Sequence, residues 1–288
     1  MMTDLAKLAA YRPQNVDEAL DAMRDALDYF HRENDHRAIF ARAYYLITVA
    51  VHRAINRRPP YTNRIFFDPD WVRRLAGKFA TLYFQSLTTA ERPGERAWKT
   101  AHRLAASGQS SVMQDMLLGL NAHINYDLAY GIYLNFKEFD DGRDHLLLPR
   151  RKFDHDQVNN ILVDSVPGVE ATLTRDYGGE LRFLGELAGD LDSVLGGVGL
   201  KYYRERVWWN AIAFLAAKSD EELQLVHDRL DWESAQLAES IAGEGTFLAR
   251  SLRRFMNVFS KDKFGPITLE REDDARQKRR PEEATSPF

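Results

Sequence analysis

The chain has 288 residues, 44% of them hydrophobic and 28% charged, which is enough apolar material for one large domain or two small ones and excludes disorder for most of its length. A net charge of −4 and a pI near 6.1 lack the basic excess that goes with counterion-release binding, so no nucleic-acid partner is expected. The absence of cysteine removes disulfides, thiolate nucleophiles and Cys-ligated metals, leaving chemistry to His, Asp, Glu, Ser, Thr, Tyr or Lys.

From Met1 to Val16 the chain mixes Asp4, Lys7 and Arg12 with short apolar groups, so it reads as no signal peptide and a cytoplasmic location is expected. Asn15 with Glu18 is a capping-box signature, and Val16, Leu20, Met23, Leu27 and Phe30 recur at helical spacing, which predicts a helix over about 16–33. Asp35 caps a second helix reaching about Arg57, where Pro59 and Pro60 stop it. Asp68 and Pro69 supply an N-cap and an N1 proline for a third, reaching about Leu87. A short helix over about 95–106 ends near Gly108. Ser110 or Ser111 then starts a long one extending to about Phe136.

Residues 140–152, with Asp140, Asp141, Gly142 and Pro149, read as loop; Asp154 then caps a helix that Pro167-Gly168 ends near Val166. The glycine-rich stretch 178–199 reads as a hinge or tight loop. Two helices follow, over about 200–217 and, boxed by Ser219 and Glu222, 220–241, with a basic amphipathic helix over about 245–260. Its arginines predict packing against the acidic 220–241 helix rather than on a membrane. Alternating strand patterns are absent, so the expected fold is all-α, a single multi-helix bundle of about nine helices over 1–260. The charged tail 261–288 is expected to be disordered. No apolar run reaches the roughly 20 residues of a membrane span.

On a helical wheel the 110–136 helix is apolar over more than half its circumference, so it is expected at the centre of the fold. Two polar rows border that arc: His123 with Asp127, and Gln114 with Asn121 and Asn125. Burying such groups unpaired costs roughly 1–3 kcal/mol each, so they need partners. The i, i+4 spacing of His123 and Asp127 admits three roles: ligands of one metal ion, an acid–base imidazole oriented by a carboxylate, or a structural pair.

Other helices offer matching groups. His52 borders an apolar face with Tyr45, and His155 sits four residues from Asn159 at the start of its predicted helix. If His52, His155, His123 and Asp127 converged, they would form a site for a divalent metal such as zinc, iron or manganese. The di-iron bundle class is disfavoured because it needs Glu-x-x-His motifs on two helices. Trp208, Trp209, Asn210 and Phe214 make the most aromatic helix, a core element or a wall for a greasy ligand. Walker, GxGxxG, GxSxG and HExxH signatures are missing.

The runs NAHINYDL (Asn121–Leu128) and FFDPDWVRRLAGKFATLYFQSL (Phe66–Leu87), with a third block over Asp154–Leu162, resemble an uncharacterised, mostly bacterial family of all-helical proteins of unknown function. The resemblance covers about residues 35–166 and implies that the central polar helix is the family's signature element. The resulting expectation is an enzyme with an inter-helical pocket for a small, partly apolar ligand. His123 and Asp127 are its catalytic or metal-binding pair, and Tyr45, Asn121, Asn125 and Asn159 contact substrate. The alternative is a non-catalytic ligand- or partner-binding protein whose buried polar residues are structural. An oligomeric state does not follow from either.

Overall fold

The structure, a computed structural model, describes residues 4–88, 94–108, 110–139, 147–178 and 197–243, except the side chains of 197–203. Among the described residues all regular structure is helical and no strand occurs: α1 (Asp4–Ala9), α2 (Val16–Arg32), α3 (Arg37–Ile55), α4 (Pro69–Ser86), α5 (Glu95–Ser107), α6 (Val112–Ala122), a π turn (His123–Leu128), α7 (Ala129–Phe139), α8 (Leu147–Tyr177), α9 (Gly197–Ala216) and α10 (Asp220–Ala242). The predicted helix at 245–260, the tail 261–288 and most of the glycine-rich stretch lie outside the described residues.

Helix starts follow the capping chemistry. Asn15 accepts the Asp17 and Glu18 N–H groups, and Asp68 accepts those of Asp70 and Trp71 ahead of Pro69. Ser111 and Gln114 complete a reciprocal capping box, and Ser219 caps α10 through the Glu222 N–H. Asp35 accepts the Arg37 N–H at 3.0 Å.

Two boundaries differ from expectation, both at prolines. Segment 140–152 is not all loop: α8 begins at Leu147, with Pro149 in its first turn, where a missing N–H costs nothing. The helix then passes through Pro167 instead of ending there. Pro167 and Gly168 face solvent, while Val169, Leu173 and Tyr177 beyond them are buried against α2 and α3, and that packing outweighs the lost hydrogen bond. Asp154 is therefore no cap for its own helix. Fully buried in mid-helix, it accepts the backbone N–H groups of Phe67 and Asp68 (2.9 Å to the latter) and anchors the turn that opens α4.

Two buried clusters form the interior. One gathers α1–α3, much of α4 to α6 and the C-terminal part of α8, around Met23, Leu27, Phe30, Tyr83, Phe84 and Trp98. The other gathers the start of α4, α7 and α9 around Trp71, Phe136, Trp208 and Phe214. The rod formed by α6, the π turn and α7 runs through both, as its apolar circumference predicts, and packs on α3, α4, α5, α9 and α10. Each fully buried Leu or Phe contributes roughly 1.5–3 kcal/mol, so this rod carries a large share of the interior's stabilisation. By length and composition α3 could cross a bilayer, but 67% of its most apolar stretch is packed inside the protein, as in a core helix.

Gly77 lets α4 touch the chain that leads into α2. A Cβ there would lie 2.3 Å from Gln14 C and 2.4 Å from Asn15 N, backbone atoms locked by the α2 cap. Gly77→Ala is expected to cost about 3 kcal/mol as overpacking, seen as a lower urea midpoint with an unchanged m-value.

Candidate functional site

In an α-helix residues four apart are offset by about 40° around the axis. Over His123–Leu128 a wider π turn replaces the α-helical path, and such turns often mark functional positions. It brings the His123 Nδ1–H to Asp127 Oδ2 at 3.2 Å, and the same oxygen accepts the Trp98 Nε1–H from α5 at 2.8 Å. Aromatic rings enclose the imidazole: Phe79 stacks on it at 3.4 Å between centroids, Tyr44 lies edge-on at 4.3 Å and Phe40 at 5.5 Å. His123 is 3% and Asp127 0% exposed. The pair is brought together as expected, buried inside a cage of aromatic rings.

The second polar row joins helices. Asn121 Nδ2 donates to Ser234 O at 2.8 Å and Gln114 Nε2 to Ile241 O at 3.1 Å, both on α10, and Asn125 Nδ2 donates to Asn121 Oδ1 at 2.8 Å. Their hydrogen-bonding capacity fixes the register of α6 against α10.

The expected four-ligand metal site is not assembled. His52 pairs with Asp17 of α2 at 3.0 Å near the surface. His155 faces α9, where its Nε2–H donates to Arg204 O at 3.1 Å. Among the described residues no group of three or more His, Asp or Glu could hold a metal ion. A helical wheel assigns an inward side but not a partner helix, and these imidazoles turn toward different ones. Of the other two expected contact residues, Tyr45 lies buried under the Arg42 guanidinium, and Asn159 Nδ2 donates to Asp156 at 3.5 Å.

A recess does open beside the aromatic cage, between α3, α4, α5 and α6, lined by His36, Phe40, Tyr83, Trp98, His102 and Asp115 among others. It spans about 250 Å³ when open solvent at its mouth is counted, and as a whole has room for about one water. Gly119 in its wall lets Phe40 approach, since a Cβ there would lie 2.3 Å from Phe40 Cγ. His36 Nδ1–H donates to Asp115 Oδ2 at 3.2 Å, and the Ser110 hydroxyl donates to the other carboxylate oxygen. On α5, His102 stacks on Trp98 at 4.9 Å. The Ser86 hydroxyl hydrogen goes to Tyr83 O at 2.7 Å, so Ser86 Oγ accepts the His102 Nε2–H at 2.9 Å. The Tyr83 hydroxyl is buried without a hydrogen-bond partner among the described residues, and burial raises its pKa.

Sequence reasoning missed His36, His102, Asp115 and Tyr83. His36 lies in the short turn between two helices, where periodicity assigns no face, and its partner Asp115 is 79 residues away. The available signal was the acidic residue in the first turn after the Ser111 cap, four residues past that serine.

A family model described as a family of unknown function (DUF5995) matches residues 16–244. No curated protein and no solved structure matches the chain.

Proposed function

We propose, from the premise that the chain belongs to the DUF5995 family of unknown function, that the recess is an acid–base site for a small, partly apolar substrate. His36 is its proton acceptor and Asp115 the carboxylate that orients it. The observation that carries this reading is the His36–Asp115 pair at the edge of an aromatic recess. A carboxylate can only accept, so the bond puts the imidazole proton on Nδ1 and leaves Nε2 basic. His36 is also the N-cap residue of α3, so its ring sits at a helix start beside the Asp115 carboxylate. Across the recess His102 and the Tyr83 hydroxyl supply polar contacts, while Phe40 and Trp98 supply the apolar wall.

The second reading, a non-catalytic binding protein, is favoured by the use of Asn121 and Gln114 to tie α6 to α10. Ring opening of a nitrobenzisoxazole separates the two. In that reaction a base removes the ring C–H proton as the N–O bond breaks, and a coloured cyanophenolate forms. The folded protein is expected to exceed free imidazole of equal concentration by about 10²-fold or more. His36→Gln should abolish that excess and Asp115→Asn reduce it at least about tenfold, while His52→Gln leaves it intact. A wild-type rate equal to that of free imidazole, or a His36→Gln variant as fast as wild type, would leave the non-catalytic reading.

A further inference from the structure

Helices α8 and α9 bury a positive charge that forms no close ion pair among the described residues. Arg204 on α9 is 4% exposed. Its Nη2 reaches His155 Nδ1 and His155 O, each at 3.3 Å, and its Nε–H has no hydrogen-bond partner among the described residues. The acidic residues adjacent in sequence are engaged elsewhere: Asp156 and Glu205 both bind Lys152, at 2.8 and 2.6 Å, nearer the surface.

His155 does not supply the missing negative charge. A guanidinium only donates, so His155 Nδ1 must accept from it, and the His155 proton sits on Nε2, where it is given to Arg204 O. That ring is therefore neutral, and burial next to Arg204 holds its pKa well below the usual imidazole value. Burial also pulls the Arg204 guanidinium down to about 9, against the opposing effect of the Asp156 charge.

Among the described residues the buried Trp71 Nε1–H is a further donor without a partner, while the partnerless Asn159 Oδ1 and Asn135 Oδ1 are acceptors and do not meet an anion. Ring contacts connect this region, from Trp71 to Phe136 at 5.9 Å, on to Trp208 at 6.0 Å and to His155 at 5.6 Å. We propose that Arg204, held in place by the neutral His155 ring, is the charged end of a binding site for a small oxyanion, the carboxylate or phosphate group of a ligand, with the aromatic residues beside it. The site is independent of the recess at α3–α6.

The test is thermal unfolding of the full chain, with Trp fluorescence, in chloride buffer plus inorganic phosphate, benzoate or the neutral look-alike benzamide. Wild type is expected to gain about 5–10 °C in Tm at an anion concentration near 100 times Kd and nothing from benzamide. Arg204→Met should fold without the anion and show no shift, and Arg204→Lys should show a reduced one. A larger shift with benzoate than with phosphate identifies an organic carboxylate as the ligand class; the reverse identifies a phosphate. Three results would overturn the proposal: no shift with either anion, an equal shift in wild type and Arg204→Met, or an Arg204→Met protein that cannot fold while wild type ignores both anions. The last would mean that a carboxylate of the chain itself holds the guanidinium.

Discussion

Asp127→Ala is expected to lower the free energy of unfolding by about 3–5 kcal/mol, a large part of the roughly 5–15 kcal/mol that a folded domain has in total. The carboxylate is fully buried and serves two donors, Trp98 Nε1–H at 2.8 Å and His123 Nδ1–H at 3.2 Å. Alanine leaves both without that acceptor inside an aromatic cage and adds a cavity where α5 meets the central rod. Asp127→Asn keeps the volume and one acceptor oxygen, which can still take both N–H groups, but loses the charge that strengthens those bonds, so it should cost less, about 1–3 kcal/mol. Urea unfolding at pH 7 checks the order of the two. The nitrobenzisoxazole rate adds a second readout. If the buried pair only holds helices together, folded Asp127→Asn keeps the wild-type rate; a large loss of rate with stability intact would return the chemistry to His123 and Asp127.

The contrast between these two histidine–carboxylate pairs shows what a sequence carries. Local chemistry was legible. Asn15, Asp68, Ser111 and Ser219 mark helix starts because capping uses atoms within three residues. Periodicity likewise turned His123, Asp127 and Asn121 inward, since one helix fixes that direction by itself. What periodicity lacks is the partner. Trp98 comes from α5 and Ser234 from α10, 29 and 113 residues from the groups they bind, and no spacing rule reaches across that distance. Pro167 failed as a stop signal for the same reason: Leu173 and Tyr177 find buried places against distant helices, and those contacts outweigh a local penalty. Asp154 is the mirror case, a residue with cap chemistry whose N–H donors, Phe67 and Asp68, belong to another turn of the chain.

Acid should destabilise the fold well above the range in which carboxylates titrate, because buried imidazoles are kept neutral. His31 on α2 donates its Nε2–H to the Tyr177 hydroxyl at 2.8 Å, and that hydroxyl donates to Ala38 O at 3.2 Å, so the ring ties α2 to α8 and α3. Burial, helped by the nearby Arg42 charge, pushes its pKa from 6.5 down to about 4. Burial also lowers the pKa of His155 and His227. Above pH 6.5 the folded and unfolded chains are both neutral at these positions, and the stabilisation is complete. As the pH falls below 6.5 the unfolded chain takes up protons that the folded one excludes, so stability drops, and the His31 part is used up near its folded value of about 4. Between pH 7 and 4.5 His31 alone accounts for about 2–3 kcal/mol. Asp154 and Asp231, whose pKa values burial raises, act in the opposite sense at the acid end, so total stability is a poor measure of any one group. Urea midpoints for wild type and His31→Gln at half-unit steps from pH 7.5 to 4.5 isolate the imidazole. Wild type should lose stability steadily below pH 6.5, while His31→Gln starts lower, having lost the ring's bond to Tyr177, and declines less steeply. Parallel curves would show that His31 exchanges protons freely in the folded state and that its link to Tyr177 does not hold α8 in place.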